Sequence, residues 1–435
     1  MARLAGIWIR GGRPLVGSVR VSSAKNAVLK MMAAALMTSG RCAIRRAPAI
    51  RDVETMADLI RCLGASVTRD SHGTLMIDGS SVDSVEAPEQ LVRRMRASVL
   101  VMGPLLARFG RVRVPLPGGC AIGPRPIELH LRGLQQMGAR ITEERGFVEA
   151  RADRLLGTEI HLDYPSVGAT ENLMMTACLA EGTTVIRNPA REPEIVDLQL
   201  FLNKMGARVR GAGGDAIYIE GVEELAGAEH DPIPDRIEAG TFMVAAAITM
   251  GEVVLHPVIP RHVEAVTAKL REAGAIVEEV GPATLRVRGG ERPRPLYVRT
   301  QPYPGFPTDM QPQFMALLAV ASGASIISET VYTSRMKHAD ELRRMGADIV
   351  VDGQVAIVRG VRRLTGACVE ASDLRAGAAL ILAGLAADGE TVIEGVHHVD
   401  RGYEAIEEKL RGLGADVRRM AEDVPAAGGL PLVRT

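Results

Sequence analysis

At 435 residues the chain exceeds what one ordinary hydrophobic core organises, so two domains or one repeat-built domain are expected. Its 52 Lys and Arg balance 52 Asp and Glu with no block of one sign. That argues against a general nucleic-acid or membrane-surface role, while leaving room for a local basic pocket.

Met1–Pro14 holds no apolar h-region, so no signal peptide is expected. The longest apolar stretches, Ala97–Ala107 and Thr241–Met250, fall short of the roughly 20 residues of a membrane span. Cys42, Cys62, Cys120, Cys178 and Cys368 form no CxxC pair, and the histidines show no metal-ligand spacing. The reading is a reduced, cytoplasmic protein without a structural metal. Aromatics are scarce, so Ala, Val, Leu, Ile and Met have to fill the core.

In chain order, one helix-ending phrase comes six times: CLGASV, QMGARI, KMGARV, EAGAIV, RMGADI and GLGADV, centred on Gly64, Gly138, Gly206, Gly274, Gly346 and Gly414. These glycines lie roughly 70 residues apart. Each follows apolar residues at helical spacing, such as Ala265–Leu270 or Ile406–Leu413, and precedes a β-branched run. The pattern predicts a helix, a left-handed glycine stop and a strand. A second phrase alternates with the first, ending an Ala/Leu/Met-rich helix near Gly40, Gly110, Gly182, Gly251, Gly323 and Gly389 before a strand. Helices Ala-rich nearly all round, as at Met31–Met37 and Gly377–Ala386, are expected to be buried on most sides. The unit is therefore two helices, each followed by strands, repeated six times in an α/β fold.

The segment PLPGGCAIGPRPIEL, Pro115–Leu129, is too rich in Gly and Pro for a helix or central strand and reads as a loop. Cys120 at its tip, five residues before Arg125, is placed to be exposed beside a cation, which favours thiolate character and acid–base or nucleophilic chemistry. From the loop alone, an inert small cysteine is an equal alternative.

LPGGCAIGPRP resembles the active-site loop of the UDP-N-acetylglucosamine 1-carboxyvinyltransferase family of enolpyruvyl transferases. SSAKNAVL, MRAS, SVGATEN, REPEIVD, PDRIEAGTF, FPTDMQPQF, DLRAG and DRGYE continue the resemblance in order over nearly the whole chain, up to about residue 420. It implies two inside-out α/β barrel domains of three units each. Residues 1–24 with 234–435 would form one, and 25–233, carrying the Cys120 loop, the other, with the active site in the cleft between.

The resemblance also implies roles. Lys25, Arg125 and Arg401, with Arg375 nearby, match cations that bind phosphoenolpyruvate, whose phosphate and carboxylate suit the bidentate guanidinium. Asn26, Arg96, Arg125, Pro126, Ile127, Glu128, Leu129, Ser166, Val167, Gly168, Asp309 and Val331 match positions that hold UDP-N-acetylglucosamine; Arg335 and Asp373 are further substrate-binding candidates, and Asp373 and Glu192 weaker candidates for positioning. Asp309 is the expected base at the sugar hydroxyl, with an N-cap role for the helix near Met310 as its structural alternative. Cys120, Asp309, Lys25 and Arg401 would carry the chemistry, transferring the enolpyruvyl group to the 3-hydroxyl with loss of phosphate. No cofactor, metal, nucleic acid, membrane or obligate protein partner is implied.

Three positions differ from the family's commonest pattern. Ser23 stands for a glycine, Lys30 for a proline and Glu128 for a shorter Asp; Ser23 would crowd a backbone position near ligand, and Lys30 would add a cation near the pocket. A paralogue with another acceptor is thus the alternative among enzymes. The sister transferase acting on shikimate 3-phosphate lacks the GGC loop. A non-catalytic nucleotide-sugar-binding regulator would be expected to lose the charged groups that are all present here.

Overall fold

The computed structural model describes residues 6–116 and 127–420. Its helices are α1 (Lys25–Ala34), α2 (Arg51–Cys62), α3 (Glu89–Arg94), α4 (Met102–Phe109), α5 (Glu128–Gln136), α6 (Val167–Ala177) and α7 (Pro193–Lys204). They continue as α8 (Arg236–Ile248), α9 (Glu264–Glu272), α10 (Gln311–Ala319), α11 (His338–Arg344), α12 (Leu374–Ala386) and α13 (Ile406–Gly412).

The two helix types predicted by the alternating phrases are distinct in burial. Every residue of α10 is buried, as is every residue of α8 after Arg236 and every residue of α12 up to Leu385. By contrast α2, α5 and α9 bury one face, as their spaced apolar residues require. The six glycines of the first phrase all adopt φ between +88° and +101°, the left-handed turn that lets an amphipathic helix stop and a strand begin. The second phrase is less uniform. Gly110, Gly182 and Gly389 are left-handed, but Gly40, Gly251 and Gly323 are not. At Gly251 the requirement is space, since an added Cβ would stand 2.1 Å from the carbonyl oxygen of Leu15.

Six sheets follow from the repeats, five of four strands and one of three among the described residues. In each four-stranded sheet, three antiparallel strands carry a fourth, parallel strand at one edge. The parallel strand Glu159–His161, which follows the second unit, adds to the third unit's sheet, and Glu229–His230, which follows the third, returns to the first unit's strand Arg41–Ile44. The bridge Glu86↔Arg113 links the first unit to the second in the same parallel sense, closing a ring of three. The other three units are linked likewise through Tyr297–Arg299 and Cys368–Glu370. That second ring closes through the start of the chain. Gly6–Arg10 pairs antiparallel with Glu390–Glu394 and Asp416–Met420, then Val16–Arg20 adds parallel to Glu252–His256.

The buried side chains fall into two clusters. One spans Ala24 to Leu225, and the other joins Ile7–Val21 to Ile237–Val417. In the second, α8, α10 and α12 pack against one another at the centre. No described helix is long and apolar enough to cross a membrane.

The two glycine types predict different costs. Gly182→Ala, with open space around a left-handed residue, is expected to lose about 1–2 kcal/mol. Gly251→Ala should lose more, because the Leu15 backbone has to move. Urea unfolding of the two variants checks the order; equal losses would contradict it.

Candidate active site

The buried helices share one property beyond burial: their N-terminal ends carry the candidate residues. Lys25 and Asn26 open α1, Ser166–Gly168 open α6, Asp309 lies in the 3-10 turn leading into α10, and Asp373 caps α12, in which Arg375 is the second residue; Arg236, not a candidate from the sequence, opens α8. Arg96 begins the 3-10 turn Arg96–Val101 that runs into α4. The positive ends of the helix dipoles thus lie beside Lys25, Arg236 and Arg375, which suits anions, while Ser166, Asp235 and Asp373 accept the first N–H groups of α6, α8 and α12.

Two carboxylates organise four cations. Asp52, in the first turn of α2 and 3 % exposed, accepts from Lys25 Nζ at 3.0 Å and from Arg401 Nε at 2.9 Å. Lys25 and Asp52 adjoin the first apolar cluster and Arg401 the second, so one carboxylate ties the halves together. Asp309 accepts from Arg375 Nη2 at 3.0 Å and Nε at 3.2 Å, and pairs with Arg335 Nη2 at 2.8 Å. Two further carboxylates lie beside them: Asp235 accepts from the Lys25 N–H at 3.1 Å, and Asp373 from the Arg375 N–H at 2.9 Å. Arg375 also lies under the Tyr403 ring at 5.4 Å, and the Tyr403 hydroxyl is held by Thr241 at 2.9 Å.

Burial alone would raise the pKa of Asp309, but Arg335 and Arg375 hold it well below the usual carboxylate range. For Asp52, burial is likewise outweighed by Lys25 and Arg401, and its pKa is lowered. Burial lowers the pKa of Lys25; Asp52 opposes this, while Arg375 and Arg401 reinforce it. The two groups of charges are thus close enough to act on one another.

The sugar-nucleotide candidates, separated in sequence, also come together. His130, next to Leu129 on α5, meets Asn172 on α6 with Nδ1 and Nδ2 2.9 Å apart. The same imidazole lies against Gly168, where an added Cβ would be 3.1 Å from His130 Nε2. Ile127–Leu129 and Ser166–Gly168 therefore adjoin; Ile127 is buried, Leu129 partly so and Glu128 exposed. Ser166 caps α6 by accepting from the Ala169 N–H. Val331 donates its N–H to Glu329 at 2.9 Å, and the other oxygen of Glu329 accepts from Thr308 Oγ1 at 2.9 Å, linking Val331 to the Asp309 turn. Cys120, Arg125 and Pro126 lie outside the described residues.

Several expectations change. Asp309 caps nothing, since both of its oxygens face guanidiniums and α10 has no side-chain cap. Asp373 does cap α12, accepting from the Arg375 and Ala376 N–H groups, and so positions Arg375. Lys30 is no free cation beside the pocket: it is 6 % exposed and paired with Glu171. Ser23 forms the antiparallel bridge to Pro234 where the chain crosses between the halves. Asp52, Glu329 and Tyr403 were not visible in the sequence as site residues. An acid in a first helical turn is common, and only long-range packing gives Asp52 its two cations.

A cavity of about 140 Å³ lined by Arg236, Arg261, His262 and Tyr303 neighbours this region, but none of Lys25, Arg335, Arg375 or Arg401 lines it. Among the described residues no three His, Cys, Asp or Glu side chains converge as a metal site.

The fold that carries these helix N-termini is shared with an enolpyruvyl transferase of known structure. The chain belongs to the family described as EPSP synthase (3-phosphoshikimate 1-carboxyvinyltransferase), whose sequence model matches residues 9–410. It is 59 % identical over 417 residues to UDP-N-acetylglucosamine 1-carboxyvinyltransferase 1 of Symbiobacterium thermophilum, covering 95 % of this chain and 94 % of the relative. It is 54 % identical over 415 residues to UDP-N-acetylglucosamine 1-carboxyvinyltransferase 2 of Carboxydothermus hydrogenoformans, with 95 % and 99 % covered. Among solved structures, the enolpyruvyl transferase NikO from Streptomyces tendae superposes with a TM-score of 0.86 at 29 % identity, covering 96 % of this chain and 99 % of that one. EPSP synthase from Acinetobacter baumannii shares the fold, with a TM-score of 0.74 at 21 % identity over 96 % of this chain and 100 % of that one.

Replacing Asp309 by Ala leaves Arg335 and Arg375 buried without their shared carboxylate, and should cost about 3–5 kcal/mol at pH 7. A lowered folded pKa stabilises above the unfolded value and is lost as pH falls through the folded one. The deficit of Asp309→Ala relative to wild type should therefore be constant from pH 7 to about 4 and shrink below. Urea midpoints at pH 7 and pH 3 test both statements, and equal midpoints at pH 7 would contradict them.

Proposed function

We propose that this chain transfers the enolpyruvyl group of phosphoenolpyruvate to the 3-hydroxyl of UDP-N-acetylglucosamine, releasing phosphate, as the first committed step of peptidoglycan precursor synthesis in the cytoplasm. The observation that carries the assignment is the junction of four cations and two carboxylates between the two apolar clusters. It suits a substrate with both phosphate and carboxylate groups, and the relatives at 54–59 % identity bear the name of this reaction. The GGC loop separates the chain from the shikimate branch of the family.

Lys25 and Arg401, joined by Arg125, bind the phosphate and carboxylate, with Arg375 and Arg335 alongside. Cys120 gives a proton to the methylene carbon of phosphoenolpyruvate. The 3-hydroxyl oxygen bonds to the adjacent carbon while its proton passes to Asp309. The tetrahedral adduct carries its charge among the cations. The Cys120 thiolate then takes a proton back from the new methyl group as the carbon–oxygen bond to phosphate breaks, which restores the double bond in the product and releases phosphate. Asp309 is a weak base while both guanidiniums face it; an anion that draws Arg375 or Arg335 away raises its basicity only when substrate is present. Asn26, Arg96, Ile127–Leu129, Ser166–Gly168 and Val331 hold the sugar nucleotide, and Asp373 positions Arg375.

The two clusters are read as two domains, residues 1–24 with 234–435 and residues 25–233, each an inside-out α/β barrel of three units. The separate cores, the helices buried at their centres and the three-unit rings of parallel strands support this reading.

Phosphate release should require both substrates, and Cys120→Ala should lower it by at least about a hundredfold. Cys120→Asp should retain turnover, because a carboxylic acid can also donate the proton; a folded, inactive Cys120→Asp would remove the acid role. No release from folded wild type that binds phosphoenolpyruvate would point to another acceptor. Fosfomycin should alkylate Cys120 in preference to the other cysteines, as read by peptide mapping. Burial pushes the Cys178 thiol up to about 12 and raises those of Cys42 and Cys368, which disfavours their thiolates.

A further inference from the structure

One group of buried charges has no part in this chemistry. Lys30 on α1 and Glu171 on α6 are 6 % and 0 % exposed, with Nζ 3.1 Å from Oε1. Lys30 lies one helical turn beyond Asn26, and Glu171 one turn beyond Val167. The contact therefore sits directly behind the two helix N-termini assigned to the sugar nucleotide. Neighbouring turns of α6 are tied down as well. Thr170 Oγ1 accepts from the Ala190 N–H, and Asn172 accepts from the Gly103 N–H at 2.6 Å while meeting His130.

We propose that Lys30 and Glu171 are positioning residues, whose buried ion pair sets the distance between the α1 terminus bearing Asn26 and the α6 terminus bearing Ser166–Gly168. The inference rests on the reading that these termini hold the UDP-sugar. A buried ion pair contributes little net stability over apolar side chains of like volume, so fixed geometry is what distinguishes it from a hydrophobic contact.

The pair is also short of positive charge. Glu192, just before α7, and Glu194 in its first turn act on the same region, and from α8 Arg236 pairs with Glu194 at 3.1 Å. Three carboxylates thus share two cations. His130 of α5 is engaged with Asn172. Burial pushes Glu171 up to about 7; Lys30 opposes the rise, and Glu194 and Glu192 add to it. The full ion pair accordingly forms as pH rises through neutrality.

The test compares wild type with the double variant Lys30→Met/Glu171→Leu, which removes both charges at similar volume, and with Glu171→Gln, which keeps the shape. The double variant should stay folded, with KM for UDP-N-acetylglucosamine raised about tenfold or more and KM for phosphoenolpyruvate within about twofold. The charge swap Lys30→Glu/Glu171→Lys should recover much of the loss. In wild type, KM for the sugar nucleotide should fall between pH 6 and 8 by a component that both Glu171→Gln and the double variant lack. A folded double variant or Glu171→Gln with unchanged sugar-nucleotide KM overturns the inference, as does an equal rise in both KM values. Wild type that neither turns over nor binds UDP-N-acetylglucosamine by calorimetry overturns the underlying reading of the site instead.

Discussion

Burying several positive charges close together is costly, and the two carboxylates Asp52 and Asp309 make it tolerable. Each holds two cations at hydrogen-bond distance, so guanidinium and ammonium groups meet without facing one another unpaired. The rest of the arrangement depends on this compromise. Without the carboxylates, Arg335 and Arg375, each 4 % exposed at the side chain, would have to be rebuilt as solvated groups on an open surface. With them, the cations stay buried in a defined geometry.

The repeats place those charges economically. Each unit places one largely buried helix in its core, with candidate site residues at or next to that helix's N-terminus. Six such N-termini supply cations and acids from widely separated parts of the sequence. The inner residues remain free to be Ala, Leu and Met, which explains why a chain with so few aromatics still packs two continuous cores.

Local signals in the sequence reach a definite depth. The six left-handed glycines, the buried Ala-rich helices and the order of helices and strands follow from residue pattern, because chain stops and one-sided burial are local constraints. The closure of each ring through a distant parallel strand is not local, and neither is the pairing of Gly6–Arg10 with Asp416–Met420. Among site residues, Lys25, Asp309, Arg375 and Arg401 stood out through their motifs. Asp52 sits in an ordinary helical first turn, and nothing in its neighbours distinguishes it from Glu54 two residues later. Lys30 shows the opposite failure: its position one turn from Asn26 suggested a ligand-facing cation, whereas the unseen partner Glu171 draws it into the core.

The strands at the start of the chain impose an order on the ribosome's product. The unit ring between Ala24 and His230 has all its parts once roughly half the polypeptide has emerged. The other ring cannot close then, because Gly6–Arg10 is the central partner of strands that are made last. A segment synthesised first therefore has to wait, its strand edges unsatisfied, for nearly the whole period of translation. A circularly permuted chain beginning near Pro234 would make these distant strands neighbours in sequence.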